Sequence, residues 1–556
     1  MRPLTFWLSI LLPALAVICG VCFGSFPLGV PDEWQWNRVP PTEPLWLALG
    51  PLLVTAALYL GFTWIGAQRV ERSRPGGLST WICGLFFCGF TWLWIAQEAA
   101  PDNYQLSKTV WILYFRGSSG YFSEANEQAG DLPAYLAGYE RKMSAGDVLH
   151  IGTHPPGLTV AFRGLLGLCR EYPPLVDFAL ATQPESVRSA FDALNSTRFR
   201  PQLLTNVERA VLWLAALTVH LGAALTIVPL FGLLRRTCSR RASWLAVAFW
   251  PSLPALALFL PKADCLYPLL ATSFLWLWLT ALAHQSRSLA VLAGLALWVC
   301  LTLTLAFLPI ALIALLAGYW TIARSRQRPQ FATEISIRTS PDSRPTIGQE
   351  LSENIRRLLP AIGCGSVGFA VPCLASWWFL KLNLLTVWWL NLQNHAGFYQ
   401  QFPRTYWKWL LVNPVEWTVA AGVPLSVLAI WSILKQCRQP DGYSADARLP
   451  GYVWAWLLTL GLLWLSGKNM GEAARLWIIF MPFLVWSAGL LFQQAAPVRV
   501  VGNRGIDSPE TAPCAMPPAD SLLSGNGWIF ALAVQFITTA VIVTQVAGFQ
   551  HPITRT

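Results

Sequence analysis

Asp147-Val148-Leu149-His150-Ile151-Gly152-Thr153-His154-Pro155-Pro156-Gly157 places two histidines, an acid and a rigid Pro-Pro-Gly turn in one short run. The run closes a long polar loop in a chain that is otherwise apolar. Polar side chains are costly inside a bilayer, so a membrane protein that keeps such a cluster uses it.

On both sides of that run, apolar windows of membrane-spanning length follow one another. They cover residues 5–27, 44–66, 79–97, 206–234, 242–260, 265–284, 288–304, 306–323, 359–381, 415–435, 451–466, 474–493 and 526–548. The stretch 288–323 also reads as one long tilted span, with Pro309 as a break. The chain therefore reads as an all-α multi-pass membrane protein with about thirteen transmembrane helices. The apolar run after Arg2 reads as a retained first helix, because no clear small-x-small cleavage site follows it.

Composition agrees. Of 556 residues, 54% are hydrophobic and only 12% charged, against about 25% charged in soluble domains. The 30 tryptophans suit the membrane–water boundary, where the ring is buried and the N–H stays wet. The net charge of +11 does not call for nucleic acid, because the arginines fall in short loops between apolar spans. The 12 cysteines form no CxxC pair and no zinc spacing, so they indicate neither a disulfide framework nor a structural metal. Gly461 to Lys468 is one residue too long for a Walker loop, and Asn469 replaces the required hydroxyl.

Basic residues orient the bundle. Arg69, Arg72 and Arg74 share one loop, and Arg235, Arg236, Arg240 and Arg241 share another. Seven arginines from Arg324 to Arg357 fill the linker 324–358, and Lys435, Arg438 and Arg448 occupy a fourth loop. All four lie on one side if the N-terminus is cytoplasmic. Loops 28–43, 98–205, 261–264, 382–414 and 467–473 are then extracytoplasmic, and they hold most of the polar chemistry. The chain divides into N-terminal helices (1–97), a large outer loop (98–205), a helical core (206–323), a linker (324–358), a second core (359–493), a linker (494–525) and a last helix with its tail (526–556). Both linkers read as flexible connectors.

In the large loop, Glu124, Glu127 and Asp131 recur at i, i+3 and i+7, one face of a helix. That face is either a solvated surface or an acid presented to a site. His150 and His154 have the spacing of helical metal ligands, but Gly152, Pro155 and Pro156 oppose a helix. Leu158–Cys169 is too short to span and reads as an interfacial amphipathic helix. Lys262, Lys468 and Arg475 stand at the outer boundary, at phosphate depth. Arg offers a fork for phosphate and Lys a point charge. Lys468, Glu472 and Arg475 equally fit helix ion pairs. Asn391, Asn394, His395, Tyr399, Arg404, Tyr406, Trp407 and Lys408 suit sugar binding or an aromatic belt.

Tyr121-Phe122-Ser123-Glu124, then His154-Pro155-Pro156-Gly157 and an interfacial helix, resemble the GT-C membrane glycosyltransferases. That superfamily includes the protein mannosyltransferases and the bacterial aminoarabinose transferases. Pro261-Lys262-Ala263-Asp264 is similar to its Asp-bearing turn, and the resemblance spans about residues 79 to 493. It implies an inverting enzyme in the bacterial inner membrane, with its site on the extracytoplasmic face. A sugar would pass from a polyprenyl-phosphate donor to a glycan, lipid or protein acceptor. The resemblance implies Glu124 as base, with His154 and Asp131 beside it, and Lys262, Lys468 and Arg475 on the donor phosphate. Tyr121, Asp264, Asn394, His395, Tyr399, Arg404 and Glu472 would contact sugar or acceptor. No cofactor is fixed by these residues, and a divalent metal is possible, because some relatives use one. Two helices more than the superfamily pattern precede the large loop, which makes Asp32 and Glu33 rival acids. A secondary transporter, with its polar residues near mid-bilayer, and a non-catalytic lipid-binding or assembly protein are the alternatives.

Overall fold

The computed structural model describes residues 3–24, 28–39, 44–196, 203–333, 347–438, 451–494 and 526–549. Arg338, Arg344, Arg448 and most of the linker 494–525 lie outside the described residues. Among the described residues nearly all regular structure is helix, and the few strands are two residues each. Among the described residues nine helices, from Leu4–Phe23 to Gly527–Gln545, are long and apolar enough to cross a membrane. The pair Tyr406–Ala421 and Val423–Cys437 makes a tenth if it counts as one span. Three shorter apolar helices are Arg287–Leu303, Gly451–Leu465 and Ile478–Gln493. The chain is an all-α multi-pass membrane protein.

The window read at 415–435 is not a straight span. It bends by 110° at Gly422, where φ is +89°, and Pro424 then opens the second helix. The left-handed residue ends the first helix, and the proline ring fits only a first turn.

The centre of the bundle is Arg240–Phe259, a window buried over its whole length. Pro251 and Pro254 interrupt it, leaving a 3₁₀ turn at Trp250–Ser252. In a bilayer a freed carbonyl needs another donor. Gln535 and Thr539 of the last helix donate to the Ser252 carbonyl at 3.3 and 2.6 Å.

This central segment also sets the two ends of the molecule. At its start Arg240 donates to the Ser73 carbonyl at 2.7 Å, the Arg241 N–H donates to Glu71 at 2.9 Å, and the Ser239 N–H donates to Gln493 at 2.6 Å. Two of the basic loops therefore meet at one end. Lys262 lies past the other end of the segment, some 20 residues on, or about 30 Å if it were one regular helix.

The described residues of 98–205 form a folded cap. Eight helices occur between Lys108 and Ser196. Most of them share a core of Leu106, Phe122, Phe162 and Phe191 with Trp213 of the bundle, whereas Leu132–Ala137 and Tyr139–Ser144 pack on Leu382, Leu384 and Val387. The helix Gly157–Glu171 buries Leu158, Thr159, Phe162, Leu166 and Cys169 along one stripe, the amphipathic pattern the sequence carries. Its first residue closes on another backbone. A Cβ on Gly157 would stand 2.3 Å from the Thr302 carbonyl oxygen, whereas one on Gly164 would meet nothing within 4 Å.

These two glycines should therefore respond oppositely. Gly157→Ala should cost about 1–3 kcal/mol by forcing the helices apart. Gly164→Ala should be neutral, or stabilise by up to about 1 kcal/mol. Thermal unfolding of the detergent-solubilised chain measures both.

Candidate functional site

At the end of the central segment the chain turns through Leu260-Pro261-Lys262-Ala263-Asp264. Lys262 is buried, donates from Nζ to the Ser118 carbonyl, and lies 3.5 Å from His150 Nε2. Arg475, only 8% exposed, donates to Glu472 at 2.7 Å and faces Asp264 at 3.9 Å. Its Nε has no hydrogen-bond partner among the described residues. Tyr121 lies within electrostatic reach of Asp264 and Arg475. Burial, with Arg475 adding to it, pulls the Lys262 ammonium down to about 7, against the pull of Asp264 and Glu472. Burial disfavours the charged amine, and a neighbouring cation does the same.

The histidine turn closes one side. His150–Thr153 is a single helical turn, and it stops before Pro155. His154 Nδ1 sits 3.0 Å from the Thr153 hydroxyl and 3.0 Å from the His150 carbonyl. The Tyr121 ring stands 6.4 Å from His150 and 5.9 Å from His154, centroid to centroid. Burial pushes both imidazoles down, His154 to about 4 and His150 well below the usual range. Both are neutral at pH 7. Among the described residues no group of three or more His, Cys, Asp and Glu could hold a metal ion. The divalent metal that the resemblance leaves open has no such donor set there.

The acids separate. Glu124 is buried and pairs with Lys142, and Tyr135 and Tyr139 lie within its electrostatic reach. The helix Tyr121–Glu127 ends before Asp131, so the proposed acidic face does not exist as one face. Glu127 is exposed and pairs with Arg116 at 2.6 Å. Asp131 instead caps the next helix, accepting from the Ala134 N–H at 3.1 Å. Asp32 is exposed in a left-handed turn between the paired strands Gly29–Val30 and Trp34–Gln35, a conformation short polar side chains tolerate. Glu33 accepts from the Thr405 N–H at 2.9 Å and from Trp409 Nε1 at 2.6 Å, with Lys408 at 3.6 Å. Burial raises this carboxyl, but the Thr405 and Trp409 bonds and the Lys408 charge outweigh it and hold it at about 2.

Lys468 is exposed, and the loop around it is not helical. Gly467, Asn469, Gly471 and Glu472 all have positive φ. Of the supposed helix ion pairs only Glu472–Arg475 forms. His395 lies within electrostatic reach of Lys468 and His154. Tyr399 accepts from the Met470 N–H at 2.8 Å. Arg404 stacks over Trp409 at 5.7 Å and senses Glu472 and Glu33. Asn391 and Asn394 are buried, and their amides donate to Gly152, His154 and Met143 of the cap.

Three members escape the sequence reading. Lys108 is buried and donates to the Ala257 and Leu258 carbonyls at 2.8 and 3.3 Å, holding the chain just before Lys262. Tyr267 senses Asp264, Tyr121 and Arg475. Glu416 is buried, and neither of its oxygens has a hydrogen-bond partner among the described residues. Glu416 alone carried a signal, as an acid inside an apolar window. The chain matches no known family model, and no curated protein matches it.

Two responses follow from these charges. If an anion binds here it needs Lys262 protonated, and sulfate affinity should then fall as pH rises through about 7. Calorimetric titration between pH 6 and 8 measures this, and a flat profile would remove Lys262 from the site. Glu33→Ala leaves the half-buried Thr405 N–H and the buried Trp409 Nε1 unpaired and should cost about 1–3 kcal/mol in thermal unfolding. Because the folded-state value lies below the unfolded one, the stability from Glu33 is present above about 4.5 and is lost as pH falls toward about 2.

Proposed function

We propose that this chain is an integral membrane glycosyltransferase, moving a sugar with inversion from a polyprenyl-phosphate donor to an extracytoplasmic acceptor. One observation carries the reading. Segments hundreds of residues apart bring Tyr121, His150, Lys262, Asp264, Glu472 and Arg475 into one ionic cluster at the end of an apolar bundle opposite the basic loops. On this reading the shorter apolar helices also cross, about thirteen in all. The N-terminus is cytoplasmic, the cap lies outside, and the membrane is the bacterial inner membrane.

The chemistry asks for cations on a leaving phosphate and a carboxylate on the attacking hydroxyl. Arg475 and Lys262 take the phosphate, with exposed Lys468 at the rim. Inversion puts the base on the face of the sugar carbon opposite the leaving phosphate. Asp264 faces Arg475 directly, whereas Glu124 is tied to Lys142. Asp264 therefore balances Arg475 on the phosphate side, and Glu124, buried against Lys142 in the cap, is the first choice as base. The neutral histidines add hydrogen bonds without competing for the anion.

Binding of a polyprenyl phosphate to the full chain in nanodiscs tests the donor site. Arg475→Ala should weaken it by roughly 10- to 100-fold, the worth of a charge-assisted hydrogen bond. Comparison of envelope glycans and polyprenyl-linked sugars with and without the gene tests the reaction. Accumulated donor and a missing sugar are expected. Binding that survives Glu124→Gln while transfer stops identifies the base. Binding with no transfer by the native chain would leave a lipid-binding protein instead.

A further inference from the structure

The amides of Asn391 and Asn394 look like sugar ligands in sequence, yet they point at protein. The two residues are three apart on the helix Leu384–Gln401, 1% and 9% exposed. Asn391 Nδ2 donates to the Gly152 carbonyl at 2.8 Å and to the His154 carbonyl at 3.3 Å. Asn394 Nδ2 donates to the same Gly152 carbonyl at 2.9 Å and to the Met143 carbonyl at 2.9 Å. Each carboxamide has two N–H donors, so neither keeps one for a ligand.

A single turn of helix does not hold itself. It fixes several residues for very few internal bonds, and its last carbonyls have no partner within it. In His150–Thr153 those carbonyls are taken from outside. Besides the asparagines, the Tyr139 hydroxyl donates to the His154 carbonyl at 2.9 Å. A second tie, from the Asn383 N–H to Glu140 at 3.0 Å, holds the start of the same helix to the cap.

We propose that Asn391 and Asn394 are positioning residues, which grip the backbone of the histidine turn and fix where His150 and His154 stand relative to Lys262. The functional meaning rests on Lys262 and Arg475 being the anion ligands. His150 faces Lys262, Arg475 and His154. His154 faces Lys262, Arg475 and His395, and the Tyr121 ring touches both. Three cationic or basic neighbours and a dry environment make protonation of either imidazole unfavourable. A third positive centre beside Lys262 would displace it from the Ser118 carbonyl. The turn therefore has to be held tightly enough to keep water out.

Histidine NMR of the full chain in nanodiscs reads this without any ligand. The chain has six histidines, and His150→Gln and His154→Gln assign the two signals. In the native chain His154 should titrate near 4 and His150 well below the ordinary imidazole value. In Asn391→Leu/Asn394→Leu both should titrate with the ordinary imidazole value of about 6.5, while circular dichroism and the unfolding midpoint report a folded bundle. Silent histidines in that folded variant would falsify the clamp. If the double variant does not fold, Tyr139→Phe decides, since it removes one donor to the same turn. A rise in the His154 value toward about 6.5 supports the clamp, and an unchanged titration overturns it. Failure here leaves the anion site standing, because that site is tested separately through Arg475.

Discussion

A guanidinium held at 8% exposure at the end of an apolar bundle has to be neutralised where it sits. Arg475 has Glu472 at 2.7 Å and Asp264 at 3.9 Å. Removing one partner of such a pair is far more costly than never burying it. The surrounding backbone is shaped to keep both carboxylates in place. Four residues between Gly467 and Glu472 take left-handed conformations, which turn the chain back on itself just before Arg475. The helix Tyr406–Ala421 then straps that loop. Asn413 donates to the Asn469 carbonyl at 3.2 Å, and Trp417 donates to the Trp477 carbonyl at 3.2 Å. Left-handed residues away from glycine persist only where their surroundings fix them.

The straps continue to the start of the chain. Glu33 holds Thr405 and Trp409 at the beginning of that helix, and Asn37–Arg38 pairs with Val546–Ala547 near the end of the described chain. Beneath them the central segment Arg240–Phe259 fixes the distance between the basic loops and Lys262. Around Arg475 the backbone is irregular, and polar contacts from distant segments cover it. This agrees with the rule that irregular backbone at membrane depth is tolerated only where protein covers it.

Charge in the cluster is nearly balanced, and it sits close to a change of state. Two carboxylates face Arg475 and Lys262, the imidazoles are neutral, and the Lys262 amine lies near 7. An arriving phosphate would tip that amine to its charged form. The same cluster without an anion is close to neutral, which lowers the penalty of burying it.

Most of the architecture was legible because spanning a bilayer takes about 20 apolar residues, a one-dimensional property. The grouping of Lys262, Asp264, Glu472 and Arg475 at one end was legible too, since alternation of spans assigns each loop a side. Spacing misled where the chain broke. Glu124, Glu127 and Asp131 were expected on one helical face, but the helix ends at Glu127 and Asp131 caps the next. Asn391 and Asn394 looked free for a ligand, because nothing local reveals that Gly152 lies opposite them. Glu33 looked like an acid in an open loop until Thr405 and Trp409 arrived. Which residues belong to the membrane, and on which side, is written in runs and intervals of apolarity. Which acid meets which base is decided only when segments hundreds of residues apart pack, because buried charges select their partners by distance in space.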